Sequence, residues 1–251
     1  MQANRTRSSE PHPVLPAYYD AAPQRAPFVR SLFDHTARHY DRINRVFSFG
    51  TGAWYRRWSL HRAGLRPGMR LLDIAVGTGL VAREAVAIVR EPRLVVGLDV
   101  SFGMLQEARR HLGIDFIQGQ AETLPVATGS IDFVSMGYAL RHVADLDQAF
   151  REMLRVLDDG GRVLILEIAR PRSRSGHAFA RLYLGSIVPL ISRLATSASE
   201  SETLMRYWWD TIENCVEPPV ILEAMRNAGF ADVSSEVSVG IFRTYTGRKA
   251  A

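Results

Sequence analysis

Apolar positions change period in an ordered way along this chain. From Ser31 onward, Phe33, Ala37, Tyr40, Ile43 and Phe47 recur three or four residues apart, which places them on one helix face. Gly50-Thr51-Gly52 breaks that pattern, Trp54 to Ala63 forms a second helical stretch ended by Gly64, and Pro67-Gly68 is a turn. Short apolar runs then alternate with amphipathic stretches. The runs predict strands at 70–74, 94–98, 114–118, 131–136 and 162–168, and the stretches predict helices at 79–89, 101–111 and 145–157. Asp158-Asp159-Gly160-Gly161 reads as a turn before the fifth strand. Such alternation predicts an α/β fold with a doubly wound, mostly parallel sheet. Residues 176–226 interrupt it and predict a helical cap, after which Gly229-Phe230 leads into paired strands near 232–237 and 240–246. Residues 1–28 are polar and carry Pro11, Pro13, Pro16, Pro23 and Pro27, so a flexible leader is expected there and a single domain over 29–251.

The end of the first predicted strand carries the most chemistry. Leu71-Leu72-Asp73-Ile74 runs into Ala75-Val76-Gly77-Thr78-Gly79, and a second apolar run, Val95-Val96-Gly97-Leu98, ends in Asp99. An acid, a glycine turn, a helix and a second strand-end acid form a nucleoside-binding β-α-β layout. The G-x-G-x-x-G dinucleotide pattern is absent, because Ala75 holds the first glycine position and Leu80-Val81-Ala82 supplies no third glycine. No P-loop lysine follows either. Asp73 repels a pyrophosphate but tolerates a cationic ligand, so the turn suits a nucleoside without phosphates. S-adenosylmethionine, with a ribose, an amino group and a sulfonium, fits. Asp99 can accept hydrogen bonds from both ribose hydroxyls, can cap the helix that follows, or can do both. Phe102 and Met104 either pack on an adenine or belong to the core.

In doubly wound sheets, ligands sit beyond the carboxyl ends of the strands. That rule gathers Asp73 to Gly79, Asp99 to Phe102, Gln120 to Glu122 and Gly137 to His142 around one crevice. The Gln120–Glu122 loop can read an adenine edge. Small residues near Gly137 allow close ligand approach, and an Arg141-His142 pair can orient a phenol or hold a base, unless His142 is simply a cap or core residue.

Composition narrows the classes. With 251 residues, 47% hydrophobic and 23% charged, the chain has ordinary globular composition and material for one large core. Cys215 is the one cysteine, so no internal disulfide forms. No apolar run is long enough to span a bilayer, and no signal core is present, which makes a cytoplasmic protein the expectation. The net charge is +5, but the arginines are scattered apart from the short cluster at 170–174, with no basic run interleaved with aromatics, so no nucleic-acid partner is expected. His35 and His39 stand one helical turn apart without the glutamate of a zinc protease, and no metal is expected. No G-x-S-x-G elbow supports serine hydrolysis.

Longer motifs point to a family. Phe33-Asp34-x-x-Ala37-x-x-Tyr40-Asp41-x-x-Asn44 is followed by Ser48-Phe49-Gly50 and Trp54/Trp58. Further on come Leu72-Asp73-x-Ala75-x-Gly77-Thr78-Gly79, Ala121-Glu122-x-Leu124-Pro125, Ile131-Asp132, Leu140-Arg141, Arg155-Val156-Leu157-x-x-Gly160-Gly161, Ala228-Gly229-Phe230 and Gly240-Ile241. On these residues the chain resembles the ubiquinone/menaquinone-biosynthesis C-methyltransferases, a branch of the class I S-adenosylmethionine-dependent methyltransferases, from about Ser31 to Gly247. The resemblance implies a Rossmann-like fold and a cofactor site of Tyr40, Asp73, Ala75, Gly77, Thr78, Gly79, Asp99, Val100, Met104, Gln120, Ala121, Glu122 and Gly137. It aligns Arg141 with an arginine that holds a quinol, or a water that deprotonates it, and makes Arg141 and His142 the catalytic candidates. Tyr138, Tyr207 and Trp208 are the expected acceptor contacts. Val76 and Leu80 replace a glycine and an aspartate of the family pattern, His142 an asparagine, and Tyr138-Ala139 a Phe-Gly pair, so the cofactor half is retained and the acceptor half departs. The implied reaction is C-methylation of a lipophilic quinol or phenol. Aromatic and aliphatic residues between Phe179 and Leu194 suit such an acceptor, peripheral contact with the inner face of a membrane, or a buried helical hairpin, and a homodimer is a further expected partner. O- or N-methylation of a secondary metabolite, and a scaffold that binds the cofactor without turnover, are the competing readings.

Overall fold

The computed structural model describes residues 10–47, 51–170, 174–182, 199–238 and 240–251. Its centre is a seven-stranded sheet in the order β3-β2-β1-β4-β5-β7-β6. The strands are β1 (Leu71–Ile74), β2 (Val95–Asp99), β3 (Asp115–Gln118), β4 (Ile131–Gly137), β5 (Leu157–Ile168), β6 (Ala231–Ser238) and β7 (Phe242–Arg248). Strands β1 to β5 pair in parallel, whereas β7 runs antiparallel to both β5 and β6. β1 and β4 bury nearly every residue, as parallel strands covered on both faces must. Helices α3 (Leu80–Val89), α4 (Phe102–Arg109) and α5 (Leu146–Val156) are the crossovers. Asp145 caps α5 by accepting the Gln148 N–H, and Phe150, Met153 and Val156 fill the core under the sheet. β5 starts five residues before its predicted first residue: Leu157 already pairs with Ile131, and the expected Asp158–Gly161 turn is an irregularity within the strand that Gly160 permits at φ +76°.

α1 (Arg25–Phe47) and α2 (Gly52–Arg62) precede the sheet. Beyond it come α6 (Arg174–Leu182), α7 (Ser199–Asn214) and α8 (Pro218–Ala228). The predicted cap is therefore shorter than 176–226, because α8 places Ile221, Ala224 and Met225 in the core beneath the sheet with α5. The motif at Ser48–Gly50, residues 171–173 of the basic cluster at 170–174 and residues 183–194 of the aromatic-aliphatic stretch at 179–194 lie outside the described residues.

From Glu10 onward the segment expected to be flexible is packed chain. Leu15 and Tyr19 are buried with Val29, Leu32, Leu204 and Tyr207. The Val216 N–H donates to the Pro11 carbonyl at 2.8 Å. Arg25 is fully buried and donates to the Glu10 carboxylate, at 2.9 Å, and to the His12 carbonyl, at 2.8 Å. The prolines deprive this segment of a helical pattern, but a buried guanidinium needs acceptors, and the leader supplies them. No described helix is long and apolar enough to cross a membrane.

Candidate active site

Beyond β1 the backbone turns through three left-handed residues, Ala75 (φ +54°), Gly77 (φ +56°) and Gly79 (φ +86°). Glycine is required at 79 on two counts, the positive φ and a Cβ position that would collide with Leu112. Ala75 holds the left-handed conformation with a side chain, a strained arrangement of the sort found at ligand sites. The turn is tied to β2 through Asp99. Its Oδ2 accepts the Gly77 N–H and its Oδ1 the Ser101 N–H, both at 2.8 Å. Each oxygen keeps a lone pair for a ligand. Burial pushes the Asp99 carboxyl up to about 6, and the two N–H donors oppose that rise. Asp99 does not cap α4: Ser101 does, accepting the Met104 N–H.

A cavity of about 600 Å³ opens over these strand ends. Ala75, Gly77, Asp99, Val100 and Met104 line one end. Gln120, Ala121 and Glu122 line its side, where the Glu122 carboxylate braces the neighbouring chain by accepting the Ala144 N–H. Gly137, Tyr138, Ala139 and His142 form the other end, with Phe33 and Tyr40 from α1 above them. Gly137 lies so close to α3 that a Cβ there would stand 2.6 Å from Val81. Tyr138, at φ +61°, is a second strained residue in the wall. Its phenol is pushed up by burial, and so is that of Tyr40, to about 12, so both stay protonated at neutral pH.

His142 meets Phe33 edge-on at 5.5 Å and stacks on Tyr207 at 5.4 Å between ring centroids. Neither ring nitrogen has a hydrogen-bond partner. Desolvation, reinforced by the charges of Arg141, His12 and Arg25, holds this imidazole well below its ordinary pKa, so it is neutral at pH 7.

Seven candidate contacts do not line the cavity, each for a visible reason. Asp73 points behind the turn, accepts the Ser135 hydroxyl at 2.7 Å, and is pushed by burial up to about 7. Thr78 donates to Asp41 of α1, and Gly79 packs beneath Leu112. Tyr207 and Trp208 are buried one layer back, where they support His142 and Tyr40. The Phe102 ring is exposed, neither core nor wall. Arg141 turns away from His142. Its Nη1 donates to Glu167 at 2.5 Å and its Nε to Thr211 at 3.1 Å. The pair lines a second cavity of about 600 Å³ with Cys215 and Tyr245, and burial there pushes the Cys215 thiol up to about 12.

The family model described as the ubiE/COQ5 methyltransferase family matches residues 20–249. The chain belongs to the ubiE/COQ5 methyltransferase family. It is an S-adenosylmethionine-dependent methyltransferase. Among curated relatives, the ubiquinone/menaquinone biosynthesis C-methyltransferase UbiE of Hahella chejuensis is 34% identical over 230 residues, covering 88% of this chain and 91% of the relative. That of Shewanella sediminis is 33% identical over 236 residues, covering 91% and 93%. Solved structures agree in fold. An S-adenosylmethionine-dependent methyltransferase of Thermotoga maritima, described as a possible histamine N-methyltransferase, superposes with a TM-score of 0.62 at 21% identity, covering 88% of this chain and 99% of its own. Phosphoethanolamine N-methyltransferase 2 of Haemonchus contortus, in complex with phosphomonomethylethanolamine and S-adenosylhomocysteine, gives 0.61 at 18% identity, covering 88% and 60%.

In this methyltransferase the two aspartates of the N-terminal motif do work that the sequence pattern did not disclose. Asp34 accepts the Ser101 hydroxyl at 2.6 Å and the Gly103 N–H at 2.8 Å, and a Cβ on Gly103 would press on the Asp34 backbone. Asp41 accepts from Thr78 in the glycine turn. Two carboxylates thus bolt α1 across the strand ends, so that Ala26, Val29, Arg30 and Asp34 form a roof over the cavity. The spacing of Asp34 and Asp41, two helical turns apart on the face that carries Ala37, was the available signal.

Proposed function

We propose that this enzyme C-methylates a lipophilic quinol or phenol-type aromatic acceptor. The observation that carries the reading is one continuous cavity with a carboxylate at one end and an aromatic chamber with an unpartnered neutral imidazole at the other. The activity named for the curated relatives supports it.

The residues present fit the cofactor. Asp99 has free lone pairs facing the cavity for two ribose hydroxyls, Gln120 and Ala121 flank the place of the adenine, and Met104 and Val100 give it an apolar surface. The Arg141 guanidinium faces the second cavity, and the Arg30 guanidinium in the roof lies 4.0 Å from the Asp34 carboxylate. When bound, S-adenosylmethionine supplies an electrophilic methyl group whose leaving group departs uncharged. The protein's part is alignment and exclusion of water. Phe33, Tyr40 and Tyr138 close the acceptor end and hold a flat ring. His142 takes the proton of the acceptor hydroxyl, which raises electron density at the ortho carbon. A neutral imidazole with a free nitrogen lone pair is suited to that role, and Arg141, whose charge helps to keep His142 unprotonated, acts through it as a positioning residue.

Calorimetric titration with S-adenosylmethionine should show micromolar binding that Asp99→Ala abolishes. Incubation with a prenylated quinol, followed by mass spectrometry and NMR of the product, should place the new methyl on ring carbon. A methyl on oxygen or nitrogen, or binding without turnover of any quinol or phenol, overturns the acceptor assignment.

A further inference from the structure

Between Asp41 and Asp73 the sequence contains seven arginines and no acidic residue, a larger positive excess than the +5 of the whole chain. Aromatic residues interleave with the basic ones here at helical rather than sequential spacing. Trp54, Arg57, Trp58, His61 and Arg62 follow the i, i+3, i+4, i+7, i+8 rule and occupy one face of α2. The opposite face, with Tyr55, Ser59 and Leu60, is buried.

The outer face is unusual for a soluble surface. Trp54 is 63% exposed, the most exposed large apolar side chain described, and it stacks on Trp58 at 6.3 Å and 17°. Arg62 lies over the Trp58 ring at 5.3 Å. Acids from neighbouring elements meet two of the cations, Arg57 through Glu84 and Arg62 through Glu236, yet both guanidinium groups remain more than half exposed. Arg66, just beyond the helix, is exposed with no side-chain partner among the described residues. The β6–β7 turn packs beside α2 through the Tyr55–Phe242 stack and adds exposed Val237 and Ile241. On its inner side, Arg56 of α2 lies over the ring of Tyr138, a wall of the active-site cavity.

We infer that the outer face of α2 is a docking surface for an anionic lipid bilayer. Indole rings favour the interface between headgroups and acyl chains, and the flanking arginines complement the negative surface of such a membrane. A lipid surface is favoured over nucleic acid because the two indoles are stacked on each other rather than open to bases, and because the neighbouring exposed side chains are aliphatic.

Flotation with vesicles of phosphatidylcholine, with and without phosphatidylglycerol, tests this without any methyl acceptor, so its outcome is separable from the acceptor assignment. The protein should float with anionic vesicles only, come off as salt is raised, and shift its tryptophan emission to the blue when bound. Trp54→Ala should weaken binding about tenfold, and Arg57→Gln with Arg66→Gln should remove the preference for anionic lipid. Affinity for S-adenosylmethionine serves as the folding control, since Trp54 and Arg66 lie outside the cavity wall. Absence of binding to anionic vesicles, or unchanged binding by folded Trp54→Ala, overturns the inference. Tight binding of a duplex oligonucleotide by a protein that ignores vesicles reassigns the face to nucleic acid.

Discussion

Glu167→Gln isolates the charge that holds the centre of this molecule together. The Arg141 side chain is 1% exposed and that of Glu167 8%, and they meet at 2.5 Å. Glutamine keeps the shape and an acceptor oxygen but removes the counter-charge, so Arg141 is left as a buried cation whose other partner is the neutral Thr211 hydroxyl. Breaking a buried pair from one side costs about 3–5 kcal/mol. For a chain of 251 residues, each kcal/mol moves the melting temperature by about 2–4 °C, so a fall of roughly 6–20 °C is expected. Urea unfolding at constant m-value gives the free energy directly, and calorimetry gives the temperature. The decisive comparison is the double variant Arg141→Met/Glu167→Gln, in which no buried charge remains. It should be more stable than Glu167→Gln alone by about 1 kcal/mol or more. If Glu167→Gln stays within about 0.5 kcal/mol of wild type, or if the double variant is the less stable, the pair does not carry a compensated buried charge and the reasoning fails.

The remaining predictions concern the cavity. Because burial raises the Asp99 carboxyl to about 6 and ribose binding needs the ionised acceptor, affinity for S-adenosylmethionine should fall as pH drops through 6, and Asp99→Asn should bind weakly with no such dependence; calorimetry across pH 5 to 8 decides. His142→Asn should retain cofactor affinity while kcat on a quinol falls about 100-fold, and the wild-type kcat should stay flat from neutral pH to below 6.5, since the imidazole is already neutral there; an acid limb centred at or above 6.5 refutes its depressed state. Asp73 has a folded-state pKa near 7 against an ordinary 3.8, so its carboxyl contribution to stability is full below about 4 and lost as pH rises through 7. Asp73→Asn, which keeps an acceptor for Ser135, should therefore gain on wild type between pH 5 and pH 8 in urea titrations, by about 2–3 kcal/mol; an equal difference at both pH values contradicts the raised pKa.

The cavity end around Asp99 was largely legible in the sequence because it is made of local pattern. The acid-turn-helix spacing fixed where Ala75, Gly77 and Asp99 would meet, and the strand-end rule gathered Gln120, Glu122 and Gly137 with them. What the pattern could not carry was side-chain direction. Thr78 and Gly79 sit in the same turn as Gly77 yet face α1 and Leu112, and Asp73, one strand residue before Ile74, points to the opposite face of the sheet. Tyr207 and Trp208 read as acceptor contacts from their aromatic character alone, whereas their burial behind His142 depends on the approach of α7 to the leader and α1, a long-range contact with no local signature. The packed leader was hidden for the same reason: its prolines argue for a free segment, and only the burial of Arg25 shows why Glu10 and His12 must come to it.

Arg141 and His142 illustrate how adjacent residues can serve one site from opposite sides. The short 3-10 turn Leu140–His142 leaves β4 between the two cavities, so successive side chains fall on either wall. His142 enters the cofactor cavity with both nitrogens unpartnered. Arg141 enters the other, where Glu167 from β5 fixes it. Its positive charge still reaches the imidazole through a dry wall, where screening by water is weak. Burial is the larger cause of the depressed imidazole pKa, and the Arg141 charge adds to it. Histidine at position 142, where the family resemblance implies asparagine, therefore does not add a cation to this end of the cavity. Under the proposed mechanism it supplies a base that burial, reinforced by the neighbouring arginine, keeps unprotonated.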